Sequence, residues 1–163
     1  MKKFEVHSAF SEYDNTGELP EADEALLNEA KRFAEHAYAP YSGFHVGAAV
    51  LLENGKVVEG TNQENASYPL GLCAERVALF SAASQYPGIK IKSIAITASS
   101  KQFRVNNPVT PCGACRQVMA EYEHLYKTPL RIIMSGDDGK VLVAESVKEL
   151  LPMQFTSDDL KSK

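Results

Sequence analysis

The chain predicts an α/β layered domain, with helices packed on a mixed sheet of about five strands. Short apolar runs bounded by turn residues (44–52, 91–98 and 130–134) alternate with segments of helical period, the pattern of a layered α/β architecture. The 163 residues, 44% hydrophobic and 23% charged, suit one domain with a true core. All three cysteines fall in two segments that read as helix starts after strands, which puts their chemistry at one end of the sheet.

Residues 1–19 stand apart as an N-terminal extension to a domain spanning 20–163. Phe4, Val6, Ser8 and Phe10 alternate as an edge strand does, and Asp14-Asn15-Thr16-Gly17 reads as a turn. Pro20 opens a helix with Glu21, Asp23 and Glu24 in its first turn, where the helix dipole favours acids. Leu26, Ala30, Phe33 and Ala37 give it one buried stripe, and Pro40 with Tyr41-Ser42-Gly43 ends it. The apolar run 44–52 suits a strand buried on both faces, and Asn54-Gly55 turns it into an antiparallel return over 57–62. Pro69-Leu70-Gly71 breaks the chain before a helix at Cys73, whose expected apolar face is Val77, Phe80 and Ala83 or Ser84. A strand over 91–98 leads through a polar loop, 99–110, into a second cysteine-headed helix that runs to about Tyr122. Strands over 130–134 and 140–144 flank Gly136-Asp137-Asp138-Gly139, and a short helix over 146–151 precedes Pro152.

The bulk properties exclude several classes. A formal net charge of -4 argues against a polyanion partner, which needs a basic face. Met1-Lys2-Lys3 is followed by Glu5, His7 and Ser8 where a secretion signal needs an apolar run. The longest apolar run, 46–52, is far short of the ~20 residues that span a bilayer. No membrane partner and a cytoplasmic location are the expectation. An odd cysteine count, with two in a C-x-x-C, favours metal or redox chemistry over a disulfide framework.

Cys112 and Cys115 are three apart, so on the first turn of a helix both sulfurs share a side. Cys73 and Glu75 are two apart and converge only where a helix is just beginning, after the break at Gly71. Helix N-termini lower thiol pKa and favour bound thiolate. Structural zinc takes four protein ligands and catalytic zinc three plus water. With no fourth cysteine, and His7, His36, His45 and His124 all outside the cysteine segments, one catalytic Zn²⁺ per chain is expected. Arg76 and Arg116 are placed to offset the negative charge. A redox C-x-x-C with an unrelated Cys73 is the competing reading. Zinc brings a bound water's pKa to roughly 7, and a neighbouring carboxylate can carry its proton to a substrate, which suits removal of an amine from an aromatic ring.

Cys73-Ala74-Glu75-Arg76 together with Pro111-Cys112-Gly113-Ala114-Cys115-Arg116-Gln117 resembles the cytidine deaminases, in particular the small homotetrameric three-cysteine type. The likeness extends over Ala39-Pro40-Tyr41-Ser42-Gly43-Phe44, Val46-Gly47-Ala48-Ala49, Asn62-Gln63-Glu64-Asn65-Ala66-Ser67-Tyr68 and Leu150-Leu151-Pro152. It implies a three-layer α/β/α fold and zinc-dependent hydrolytic deamination of cytidine, and of 2′-deoxycytidine, in pyrimidine salvage. The general chemistry of zinc deaminases is well established.

By this resemblance Cys73, Cys112 and Cys115 bind zinc and Glu75 shuttles protons. Asn62 and Glu64 bond the ribose hydroxyls, Phe44 packs on the pyrimidine, and the N–H of Ala74 reaches its carbonyl oxygen. Phe155 reaches a neighbouring subunit's site in a homotetramer, and Arg76 steadies the thiolates. Plainer roles compete: Phe44 begins an apolar strand, Asn62 and Glu64 sit where a strand ends, and Phe155 can simply anchor the tail. The chain departs from the shortest family members in residues 1–19 and in a longer loop 99–110, which bear on subunit contacts and on the mouth of the pocket.

Overall fold

A computed structural model, which describes residues 1–161, contains one mixed sheet of six strands. These are β1 (Ser11–Tyr13), β2 (Phe44–Leu52), β3 (Val57–Thr61), β4 (Ile91–Ser100), β5 (Arg131–Ser135) and β6 (Val141–Ala144). They lie in the order β1-β6-β5-β4-β2-β3, and all neighbours are antiparallel except β4 and β5. A parallel pair needs a crossover, which helix α3 (Gly113–Tyr126) supplies. The hairpin from β2 to β3 forms at Asn54-Gly55 as expected, with Gly55 N–H donating to the Leu52 carbonyl at 3.0 Å.

Alternation along the strands sends successive residues to opposite faces, so each central strand serves two cores. Helix α1 (Glu21–Ala34) covers one face, where Leu26, Leu27 and Ala30 pack with Ala49, Ala95 and Ile133. Helix α2 (Ala74–Gln85) and α3 cover the other, where Ala78, Leu79 and Met119 pack with Ala48, Val50, Ile94 and Ile96. The three layers are those the sequence and the resemblance imply. Asp23, expected only to complement the α1 dipole, is buried and takes two bonds from the Arg131 guanidinium, at 2.7 and 3.0 Å, tying α1 to β5.

Four expectations are corrected. The sixth strand is β1, which pairs with β6 over residues 11–13, while residues 4–10 form no strand: their alternating apolar side chains stand in solvent. Helix α1 ends at Ala34, so Ala37 lies outside it, and Phe33 is only half-buried. The buried face of α2 is Ala74, Glu75, Ala78, Leu79 and Ala82, whereas Phe80 is 45% exposed. The helix sits so close to β3 that only small residues fit between them: a Cβ on Gly60 would lie 2.4 Å from the Ala78 nitrogen. Finally, the short helix expected over 146–151 is a single 3-10 turn, Val147–Glu149. Among the described residues no helix is long and apolar enough to cross a membrane.

Candidate active site and metal centre

Cys73 and Cys112 are the residues immediately before α2 and α3, both with extended backbones (φ -74°, ψ 150° and φ -67°, ψ 166°). Neither side chain bonds back to cap its own helix, so both sulfurs are free to turn toward each other. They stand 3.9 Å apart, and the Cys112 and Cys115 sulfurs 3.5 Å apart, with all three within 4.8 Å of one another. Zn–S bonds of about 2.3 Å in a tetrahedral site separate sulfurs by ~3.8 Å, so this set fits zinc with little adjustment. Among the described residues no histidine or carboxylate joins the cluster, leaving three protein ligands. None of the three thiols is in a disulfide.

The three thiols do not ionise alike. A hydrogen bond from the Cys115 thiol, with Arg76 alongside, brings the Cys73 thiol down to about 5. Cys115, donating that bond and fully buried, is pushed up. Arg76, expected to offset the charge of the thiolates, reaches the Cys73 sulfur with Nη2 at 3.7 Å. Arg116 does not share that role. Its guanidinium donates to the carbonyls of Pro111 (2.7 Å) and Leu150 (3.0 Å), bracing the approach to Cys112 against the C-terminal segment.

Glu75 lies in the first turn of α2 and is 5% exposed. Burial pushes its carboxyl above the usual range, and the neighbouring Cys73 thiolate pushes it the same way. Glu75, Cys73 and Cys112 line a cavity of about 680 Å³ whose other walls include Phe44, Asn62 and Glu64. A buried carboxyl group, a thiol cluster and a polar and aromatic wall thus share one cleft, the usual form of a small-molecule site.

The polar wall does more than face the cavity. The Asn62 Oδ1 accepts from Val46 N–H at 2.8 Å, while its Nδ2 donates to the Phe44 carbonyl at 2.9 Å. Glu64 accepts from Tyr41 N–H (2.8 Å), Ser42 N–H (3.3 Å) and the Ser42 hydroxyl (2.5 Å). That hydroxyl and the two amides hold the Glu64 carboxyl below its usual range. Both residues therefore fix the segment that presents Phe44. Ala74 is fully buried, and as the first residue of α2 its N–H has no intrahelical acceptor. Phe155 does not line this chain's cavity: it is 58% exposed, its carbonyl held by Gln117 Nε2 at 2.7 Å. Two residues were missed in the sequence. Ser42 sits in a turn that looked merely connective, and Phe103, from the loop after β4, stacks on Phe44 with centroids 6.3 Å apart.

Residues 20–128 match the family model for the cytidine and deoxycytidylate deaminase zinc-binding region. A cytidine deaminase from Halalkalibacterium halodurans is 46% identical over 136 residues, 83% of this chain and 95% of that protein. One from Sporosarcina psychrophila is 42% identical over 142 residues, 84% of this chain and 93% of that protein. The crystal structure of a cytidine deaminase from Burkholderia pseudomallei superposes with a TM-score of 0.70 at 46% identity, over 80% of this chain and 97% of that one. With its thiol cluster and buried glutamate at the heads of two helices, the chain belongs to the cytidine and deoxycytidylate deaminase family.

Proposed function

We propose that the protein hydrolyses the exocyclic amine of cytidine and of 2′-deoxycytidine, giving the uracil nucleoside and ammonia. The observation that carries this is the burial of Glu75 beside three convergent sulfurs in one cavity. Cys73, Cys112 and Cys115 would hold zinc, which when bound would acidify a water toward a pKa of roughly 7. Glu75 takes the proton of the attacking water and delivers it to ring N3. As the C4–N bond breaks, Glu75 carries the proton of the new C4 hydroxyl to the departing amine, which leaves as ammonia while the C4 carbonyl forms. Its raised pKa brings the proton-holding form nearer neutrality, as such a shuttle requires.

The remaining roles follow from the walls. Phe44 packs on the pyrimidine and the Ala74 N–H bonds its carbonyl oxygen. Asn62 keeps a second amide hydrogen, and Glu64 keeps unused lone pairs, for the ribose hydroxyls. Phe155 serves the site of a neighbouring copy in a homotetramer. Exposed Leu70, Leu72, Phe80 and Phe155 support that assembly, being apolar surface a lone chain leaves in water. Residues 20–163 make up the deaminase domain and 1–19 an extension, and the family match beginning at residue 20 supports this division. The place of action is the cytoplasm, in pyrimidine salvage, with no nucleic-acid polymer as substrate.

Parallel assays on cytidine, 2′-deoxycytidine, free cytosine and a single-stranded oligonucleotide test this reading. The two nucleosides are converted and the others are not. Faster turnover of cytosine would contradict the ribose roles of Asn62 and Glu64. Sizing of the same preparation gives a tetramer, and a fully active monomer contradicts the role of Phe155.

A further inference from the structure

The loop after β4 is pinned rather than loose. Val105 N–H donates to Asp137 Oδ2 at 2.9 Å, and Asp137 N–H returns a bond to the Val105 carbonyl at 3.0 Å. Arg104 pairs with Asp138 at 2.9 Å. The turn and the loop run backbone against backbone, since a Cβ on Gly136 would lie 2.1 Å from the Val105 oxygen. Val105 is buried beneath this contact, so the segment is clamped on the turn between β5 and β6.

The clamp holds the backbone at Arg104 and Val105, next to Phe103, whose ring is 56% exposed and lies against Phe44. The two rings are near-parallel, 21° between planes and 6.3 Å between centroids. Phe44 lines the cavity and Phe103 does not, so Phe103 supports the ring without reaching the cavity. On its own, a phenylalanine at the start of an exposed strand end has several rotamers to choose from. A clamped aromatic neighbour removes that choice and spares the substrate the cost of ordering the ring.

We propose that Phe103 is a positioning residue for substrate affinity: held by the Asp137 clamp, it fixes the Phe44 ring in the orientation that receives the pyrimidine. This rests on the reading of Phe44 as the surface on which the base packs. Aromatic pairs of this kind are worth about three- to tenfold in an equilibrium constant, and that is the size of the effect.

The test uses the zinc-loaded enzyme with cytidine. Phe103→Ala raises KM about three- to tenfold and leaves kcat within about twofold. Zinc content and assembly size stay as in the parent, and Phe103→Tyr, which keeps the ring, restores KM. Asp137→Ala gives the same KM shift, and Asp137→Asn, which keeps an acceptor for Val105, gives less. Phe44→Ala also raises KM, and adding Phe103→Ala to it costs nothing more, because the two act as a unit. An unchanged KM in Phe103→Ala, beside a raised one in Phe44→Ala, overturns the proposal alone. An unchanged KM in Phe44→Ala overturns it together with the reading of Phe44. Loss of zinc or of assembly in Phe103→Ala also overturns it.

Discussion

Glu64 shows how a residue on a cavity wall can also shape the chain beside it. Its carboxylate gathers one hydroxyl and two amide hydrogens from Tyr41 and Ser42, which shape the segment leading to Phe44. Those donors favour the ionised form in the folded protein and hold the carboxyl below its ordinary value of 4.5. The stability this contributes is therefore present above that value and is lost as pH falls through the lower folded pKa. Thermal melts of the parent and of Glu64→Gln separate most at neutral pH, and the gap closes progressively below about pH 4.5. A gap independent of pH would remove the carboxylate from this role. Residue chemistry was legible in the sequence where it depends on short spacing: the three-residue step from Cys112 to Cys115 and the helix start at Cys73 both stand in the structure. The bonds from Asn62 to Phe44 and Val46 were not legible, because they cross 16 to 18 positions and depend on how β2 and β3 pair.

At the level of elements, the least legible feature was which side of α2 faces inward. Val77 and Phe80, with Ala83 or Ser84, share one side of the helix by spacing, and that side read as the core face. The structure turns Ala74, Ala78 and Ala82 inward instead, because α2 must approach β3 closely enough to bring Cys73 and Glu75 to the cavity. Glycine at position 60 permits that approach, with Ala78 N 2.4 Å and Ala74 O 2.7 Å from where a Cβ would sit. These are backbone atoms that cannot swing aside. Gly60→Ala accordingly destabilises the fold by about 1–3 kcal/mol in denaturant melts and weakens zinc retention, since Cys73 stands at the head of α2 and moves with it. A variant as stable as the parent would mean that α2 can shift without cost. The hairpin at Asn54-Gly55, by contrast, was plain from two residues. The N-terminal strand was misplaced because the alternation of Phe4 to Phe10 shows a pattern but not a partner: the edge of β6 is met only at Ser11.

Across the whole molecule, the sheet's job is to bring the heads of α2 and α3 together. The strand order places β2, β4 and β5 side by side, and the chain segments following β3 and β4 deliver the two cysteine pieces to one cleft. The layered α/β plan and the location of the site at a sheet end could be read from alternating element types. The exposed apolar surface could not, since Leu70, Leu72 and Phe80 declare themselves only once the fold shows which apolar residues the core leaves out. Glu75, as proposed, moves protons beside a zinc it does not bind. The most direct test of that role is Glu75→Ala, measured for zinc content and for cytidine conversion in one preparation. The expected result is about one zinc per chain, as in the parent, with turnover reduced by at least ~10²-fold. Undiminished turnover, or loss of the metal together with activity, would contradict that role.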